Sequence, residues 1–120
     1  MSWSSSFEQY SSDLGLSIVF EDEVGYYSGQ GIYLFKESGG FREGYSVVEH
    51  SFGSCSHCDE LRGADSEEER KAIIYTYLEE RVPLDKWIQD IDSDETFLFA
   101  SSGAQQSLVR FLKEHNLWTL

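Results

Sequence analysis

The chain has 120 residues, of which 40% are apolar and 15% aromatic, a content too high for a disordered tail. Its length suits one domain, residues 1–120, with a core of its own. The 22 acidic and 9 basic residues give a net charge of -13, a field that repels phosphate. This charge argues against direct binding to nucleic acid and favours a basic protein partner.

The sequence contains no membrane or export signal. No stretch approaches the roughly 20 apolar residues of a membrane span. Residues 1–6, Met-Ser-Trp-Ser-Ser-Ser, lack the basic and apolar regions of a signal peptide. We therefore expect a cytoplasmic protein that does not contact a membrane, as a monomer or homodimer.

The N-terminal segment predicts a short helix over residues 5–14. Ser5 is the expected N-cap, Glu8 occupies the capping-box position and Gly15 ends the helix. A narrow apolar face predicts weak docking. That face consists of Phe7, Tyr10 and Leu14.

The following segment predicts a three-stranded antiparallel meander. An alternating pattern over 16–20, Leu16, Ile18 and Phe20, indicates a first strand that ends in an acidic turn at 21–23. Glycines within 26–36 indicate a bulged or strongly twisted second strand, and a third strand follows over 41–51. Both faces of the second strand are apolar, so another layer must cover each face.

The segment after the meander predicts two helices separated by a break. A short helix is expected over 54–61. Ser66, with Glu69 three residues later, is a strong N-cap signal for a helix that extends to about Arg81. Pro83 then breaks the helical pattern.

The C-terminal segment predicts helix, loop, strand and helix. Apolar spacing indicates a helix from 84 to 91, and 90–95 reads as an acidic loop. A fourth strand is expected at 96–100, and a last helix begins at Ser101 or Ser102, with a tail from Leu117 that packs back. The whole pattern predicts an α+β domain: a three- to four-stranded antiparallel sheet packed with four to five helices.

Cys55-Ser56-His57-Cys58 at a strand-to-helix junction has the spacing of a thiol redox motif. Thioredoxin-like proteins use this spacing, but they place a cis-proline opposite it. Here the proline, Pro83, lies between two helical patterns. The favoured interpretation is that both cysteines are small buried thiols that pack the start of a helix.

A zinc site is the third interpretation of the cysteine segment. Cys55 and Cys58 would form one knuckle, with His50 or His57 and His115 as further ligands. Zinc ribbons normally contain two such pairs, so a second chain could supply the missing ligands.

Three carboxylate groups, 21–23, 67–69 and 90–95, have spacings that could imitate a phosphate backbone. Helix capping explains 67–69, and ordinary solvation is the alternative for the other two. Residues 90–95 lack the glycine and terminal glutamate of a calcium loop. The expected partner-binding residues are Glu21, Asp22, Glu23, Asp90, Asp92, Asp94 and Glu95, with Tyr26 and Tyr27 as aromatic anchors.

The run Phe52-Gly53-Ser54-Cys55-Ser56-His57-Cys58-Asp59, followed by Leu61, resembles a Gly-Ser-Cys-Ser-x-Cys-Asp signature of small bacteriophage proteins. The Tyr27-Ser28-Gly29 step and the acidic helix after the cysteines are also similar. His57 stands where those relatives have glycine, which argues against His57 as a metal ligand.

The resemblance implies a setting and no specific activity. Small acidic phage proteins are frequently inhibitors of host or defence enzymes, including anti-CRISPR proteins and nucleic-acid mimics. No nucleophile elbow and no phosphate-binding loop occurs in the sequence. We therefore expect a non-enzymatic inhibitor of a basic host or defence protein, in the cytoplasm of the host cell. The alternatives are a zinc- or thiol-dependent protein and a domain whose acidity only confers solubility.

Overall fold

The computed structural model describes residues 3–25, 29–37, 44–53, 59–93 and 103–119. In chain order the elements are α1 (Trp3–Ser11), a 3-10 turn (Ser12–Leu14), β1 (Leu16–Gly25), β2 (Gly29–Glu37), β3 (Gly44–Phe52), α2 (Glu67–Glu79), β4 (Val82–Pro83), α3 (Leu84–Ser93) and α4 (Gly103–Glu114). The strands form one antiparallel sheet in the order β1-β2-β3-β4. This confirms the predicted α+β class.

The sheet is covered by helices on both faces, as the apolar β2 requires. Tyr33 and Phe35 lie on the first face, which packs against α1 and α2. Ile32 and Leu34 lie on the second face, which packs against α3 and α4. The side chains of these four β2 residues are fully buried. Each face has its own core, aromatic on the first face and mainly aliphatic on the second.

The bulge lies in β1 and not at the glycines of β2, which pair with both neighbouring strands without a shift in register. The predicted bulge in β2 was therefore wrong, and a strong twist of β2 stays a prediction. Ile18 pairs with Phe35, but Phe20 pairs with Leu34, which leaves Val19 as the extra residue. An extra residue inverts the alternation of faces. Phe20 therefore leaves the face of Ile18 and packs on the second face, where its ring centroid is 4.7 Å from that of Phe111.

The predicted acidic turn at 21–23 was also wrong. β1 continues to Gly25, and its acidic residues pair with Tyr33, Ile32 and Gly31 of β2. Acidic residues have low strand propensity, but pairing with the buried β2 outweighs that local preference.

The first helix begins at Trp3, two residues before the predicted Ser5 cap. Trp3 extends the apolar face, because Trp3, Phe7 and Tyr10 share one side of the helix and are all buried. Leu14 belongs to the 3-10 turn and is 42% exposed. The prediction of weak docking was therefore wrong.

The fourth strand, β4, lies where Pro83 was predicted to break the helical pattern. Val82 pairs with Val47 and Pro83 with Ser46, at the outer edge of the sheet where a missing N–H is tolerated. The predicted cap of α2 is confirmed, since the Glu69 N–H donates to Ser66 Oγ at 3.2 Å. The expected strand at 96–100 lies outside the described residues.

The C-terminal helices agree with prediction except at residues 90–93. These residues belong to α3 and not to a loop. Asn116 has a left-handed backbone (φ 58°), and the N–H groups of Leu117 and Trp118 donate to Leu112 O. The tail therefore packs back onto the second face, as predicted. Within the described part of the chain, the helices fall short of the length and apolarity that crossing a bilayer requires.

Gly31 and Gly44 give a matched test of packing. A Cβ at Gly31 would lie 2.3 Å from His50 Nε2, and the His50 ring cannot retreat because Trp3 and Tyr33 pack on it. Gly31→Ala should lower the free energy of unfolding by about 1–3 kcal/mol. A Cβ at Gly44 meets no atom of the described residues within 4 Å, so Gly44→Ala should raise stability by about 0.4–1 kcal/mol.

Urea denaturation of both variants measures these changes. Equal effects of the two substitutions would contradict the proposed contact between Gly31 and His50.

Candidate functional site

The acidic residues of β1 lie on the outer strand of the sheet, beside α1. Glu21 and Glu23 alternate onto the first face, where Ser4 Oγ donates to Glu21 Oε2 at 2.7 Å and Tyr33 Oη donates to Glu23 Oε1 at 3.4 Å. Asp22, paired with Ile32, takes the opposite side of the strand. These bonds fix the position of the two glutamates without neutralising their charge.

Two clefts follow this edge and share Glu21. One, of about 460 Å³, is lined by Glu8, Glu21 and residues of α1 and β1. The other, of about 410 Å³, is lined by Ser4, Glu21, Asp22, Glu23 and Tyr33. We call Glu8, Glu21, Asp22 and Glu23 the acidic edge. No Lys or Arg precedes Lys36 in the sequence, so this part of the chain has no positive side chain of its own.

Tyr33 supplies a protonated hydroxyl to this edge. Burial, with the nearby charges of Glu23 and Glu21, raises the pKa of Tyr33 far above its ordinary value. The hydroxyl therefore remains a donor to Glu23 at any physiological pH.

Exposed aliphatic side chains accompany the acidic edge. Among the described residues, the large apolar side chains left exposed are Leu14, Val19 and Val24, with 42%, 39% and 41% of their surface accessible. All three lie in β1 or directly before it. Charge and apolar surface thus occur together at this side of the sheet.

The second predicted acidic group lies elsewhere. Asp90 and Asp92 are exposed on α3, which packs on β3 and β4, whereas β1 is at the opposite end of the sheet. The structure therefore does not join the two groups into one stripe. The predicted residues Tyr26, Tyr27, Asp94 and Glu95 lie outside the described part of the chain.

The third acidic group serves α2, as predicted. Glu69 accepts from the Asp65 N–H at 2.7 Å and Glu67 accepts from Tyr10 Oη at 3.3 Å. The negative side chains also lie at the positive end of the helix dipole.

Cys55, His57 and Cys58 lie outside the described residues, but both flanks of their segment are held by Asp59. Its carboxylate is 4% exposed and accepts from Trp3 Nε1 and from the Gly53 N–H. It also accepts from the N–H groups of Leu61 and Arg62 at 3.0 and 3.2 Å. Sequence reasoning missed this role of Asp59, although an aspartate directly after a polar loop is a typical capping signal.

His50 is enclosed by aromatic rings on the first face. Its ring centroid is 4.2 Å from that of Trp3 and 5.5 Å from that of Tyr33, and the residue is 4% exposed. Nδ1 lies 3.2 Å from Ser51 O, which requires the proton on Nδ1 and leaves a lone pair on Nε2. Nε2 is buried and has no hydrogen-bond partner within the described residues.

His50 and His115 cannot bind one ion within a single chain. His115 stacks on Phe111 at 4.1 Å, on the second face, whereas His50 lies on the first. Among the described residues, no three His, Cys, Asp or Glu side chains are grouped as metal ligands.

Comparison with known proteins gives no relative: the chain matches no protein-family model, no curated protein and no solved structure. The acidic edge and the surroundings of His50 are therefore the features that bear on function.

His50 should make the stability of the folded chain depend on pH below about 6.5, the ordinary pKa of histidine. Burial lowers the pKa of folded His50, and its bond to Ser51 and the nearby Asp59 and Glu60 oppose this only in part. The unfolded chain, with a pKa of about 6.5, then binds the proton more readily than the folded chain. The contribution of neutral His50 to the free energy of unfolding is fully present above about pH 6.5. It is lost as the pH falls, by at most about 1.4 kcal/mol per pH unit.

Urea denaturation at about pH 7.5 and about pH 5.5, with a chelator present, measures the effect. His50→Phe should lose less stability over this interval than the unchanged chain. An equal loss in both proteins would show that His50 does not titrate as its surroundings imply.

Proposed function

We propose that this chain is a non-enzymatic binding protein that attaches to a basic surface of another protein through its acidic edge. The observation that carries the proposal is the grouping of Glu8, Glu21, Asp22 and Glu23 along two clefts of an outer strand. A basic partner supplies the positive charge that this region of the sequence lacks.

The resemblance to small phage proteins supports a more specific version of this proposal. In it, the partner is a host nucleic-acid-binding or defence protein such as a CRISPR effector, and the acidic edge occupies a groove that otherwise holds a phosphate backbone. A net charge of -13 favours fast, salt-dependent association with such a groove. The action takes place in the cytoplasm of the infected cell.

Paired charge variants test the acidic edge. Glu21→Gln with Glu23→Gln removes two charges from the edge and keeps oxygens that accept from Ser4 and Tyr33. Asp90→Asn with Asp92→Asn removes two charges from exposed positions on α3. The partner is captured from host lysate, purified and titrated with each variant. The Glu21→Gln, Glu23→Gln variant should bind it about tenfold more weakly than the unchanged chain, and the Asp90→Asn, Asp92→Asn variant should bind it unchanged.

High salt should weaken the complex of the unchanged chain. Equal losses in both variants, or an affinity independent of salt, would contradict binding through the acidic edge. Thermal unfolding of both variants controls for loss of structure.

A second candidate, a zinc- or thiol-dependent protein centred on Cys55 and Cys58, is favoured by His50. The lone pair on its buried Nε2 has no described partner, and neutral imidazole is a metal ligand. Nε2 lies against Gly31, and Trp3 and Tyr33 pack on the ring, so an ion can reach Nε2 only if these aromatic contacts open.

Native mass spectrometry of the protein purified without chelator separates the two candidates. The second candidate predicts about one zinc per chain, lost on acidification and absent from Cys55→Ser with Cys58→Ser. His115→Ala should retain the ion, because His115 lies on the opposite face from His50. An ion-free chain with two thiols would contradict the zinc site, and a disulfide would favour the thiol-dependent form.

A further inference from the structure

We propose that the outer edge of β1 binds an extended segment of the basic partner as a fifth strand of the sheet. The inference rests on the proposed function and deepens it, because it specifies how the acidic edge engages a partner and which sequence pattern it selects.

Among the described residues, β1 has no strand partner on its outer side. From Phe20 to Val24 the strand pairs with β2 without a shift in register, and it ends at Gly25, whose φ is 128°. Among the described residues, no backbone group outside β2 bonds to this part of the strand. The Glu23 N–H donates to the neighbouring Asp22 Oδ1 at 3.0 Å, a local bond that the carbonyl of an incoming strand can replace.

A second copy of this chain does not fit the edge. Antiparallel pairing of two β1 strands through their 21–23 segments would place carboxylates opposite carboxylates, and like charges opposite one another destabilise a sheet. Each copy also has a net charge of -13. The charge of the edge therefore selects a partner of the opposite sign.

The two faces of β1 define the pattern of the incoming strand. On the first face, Glu21 and Glu23 line a cleft that ends at the Tyr33 hydroxyl, which suits lysine or arginine. Val24, on the other side, is 41% exposed and suits an apolar side chain. Side chains alternate between faces, so the partner segment has a basic residue at every second position, toward Glu21 and Glu23, and an apolar residue beside Val24.

The bulge at Val19 limits the length of pairing. It disrupts the ladder between Ile18 and Phe20, and the positive φ of Gly25 ends the extended backbone, so a straight partner strand can follow β1 only from Phe20 to Val24. A short segment held by main-chain bonds, with side chains that supply specificity, is a known mode of peptide recognition.

A peptide of alternating lysine and valine, and the same peptide with every backbone amide N-methylated, test the inference with the full chain. The N-methylated peptide keeps each charge but cannot donate main-chain hydrogen bonds. The unmodified peptide should slow amide hydrogen exchange in residues 20–25, measured by NMR. The N-methylated peptide should bind about tenfold or more weakly, because it loses the main-chain hydrogen bonds that it would otherwise donate to β1.

Equal binding of the two peptides would overturn strand pairing and leave a purely electrostatic edge, with the proposed function intact. Strand pairing would also be overturned, with the proposed function intact, if neither peptide protected residues 20–25 but the Glu21→Gln, Glu23→Gln variant still lost the partner from lysate. The proposed function would be overturned as well if neither peptide protected residues 20–25 and the Glu21→Gln, Glu23→Gln variant bound the partner as tightly as the unchanged chain. Protection of residues 20–25 by self-association alone, detected by sedimentation, would assign the edge to a second copy and overturn the inference.

Discussion

The buried carboxylate of Asp59 is the interaction on which the arrangement of the first face depends. Both oxygens accept from the Trp3 indole at 3.1 Å, and the same group accepts from the N–H groups of Gly53, Leu61 and Arg62. Hydrogen bonds to a charged group contribute about 1.5–3 kcal/mol each, which offsets the cost of burying the charge. One side chain thus joins the first helix, the end of β3 and the turn before α2.

The position of Trp3 determines the rest of this face. Its indole covers His50, whose ring in turn lies over Gly31, and glycine is required there because a Cβ would meet the imidazole. With α1 held in this place, Ser4 reaches Glu21 and Glu8 lines the cleft beside β1. The acidic edge is therefore built by the same contacts that bury His50.

The carboxylates of β1 have two compatible effects. An outer strand with unpaired backbone groups can pair with other copies of the chain, and charged side chains are a common protection against this. On this strand the charge opposes pairing with a second copy, while Val19 and Val24 stay exposed. In the proposed strand pairing the same charge attracts a basic segment, so the two effects have one electrostatic origin.

The sequence alone predicted the features that depend on local chemistry. The Ser66 cap of α2, the helix after Pro83 and the apolar faces of β2 follow from capping, the missing N–H of proline and the composition of the strand. The α+β class follows from the order of these patterns. Each of these depends on residues close to one another in the chain.

Tertiary structure alone decided the features that depend on distant residues. The bulge at Val19 and the extension of β1 through Glu21 to Gly25 follow from pairing with β2, which outweighs the turn-like local composition. Asp59 reaches Trp3 across 56 residues of sequence, and no periodic pattern indicates such a contact. The separation of Asp90 from Glu21 likewise follows from the strand order, because the order places their elements at opposite ends of the sheet.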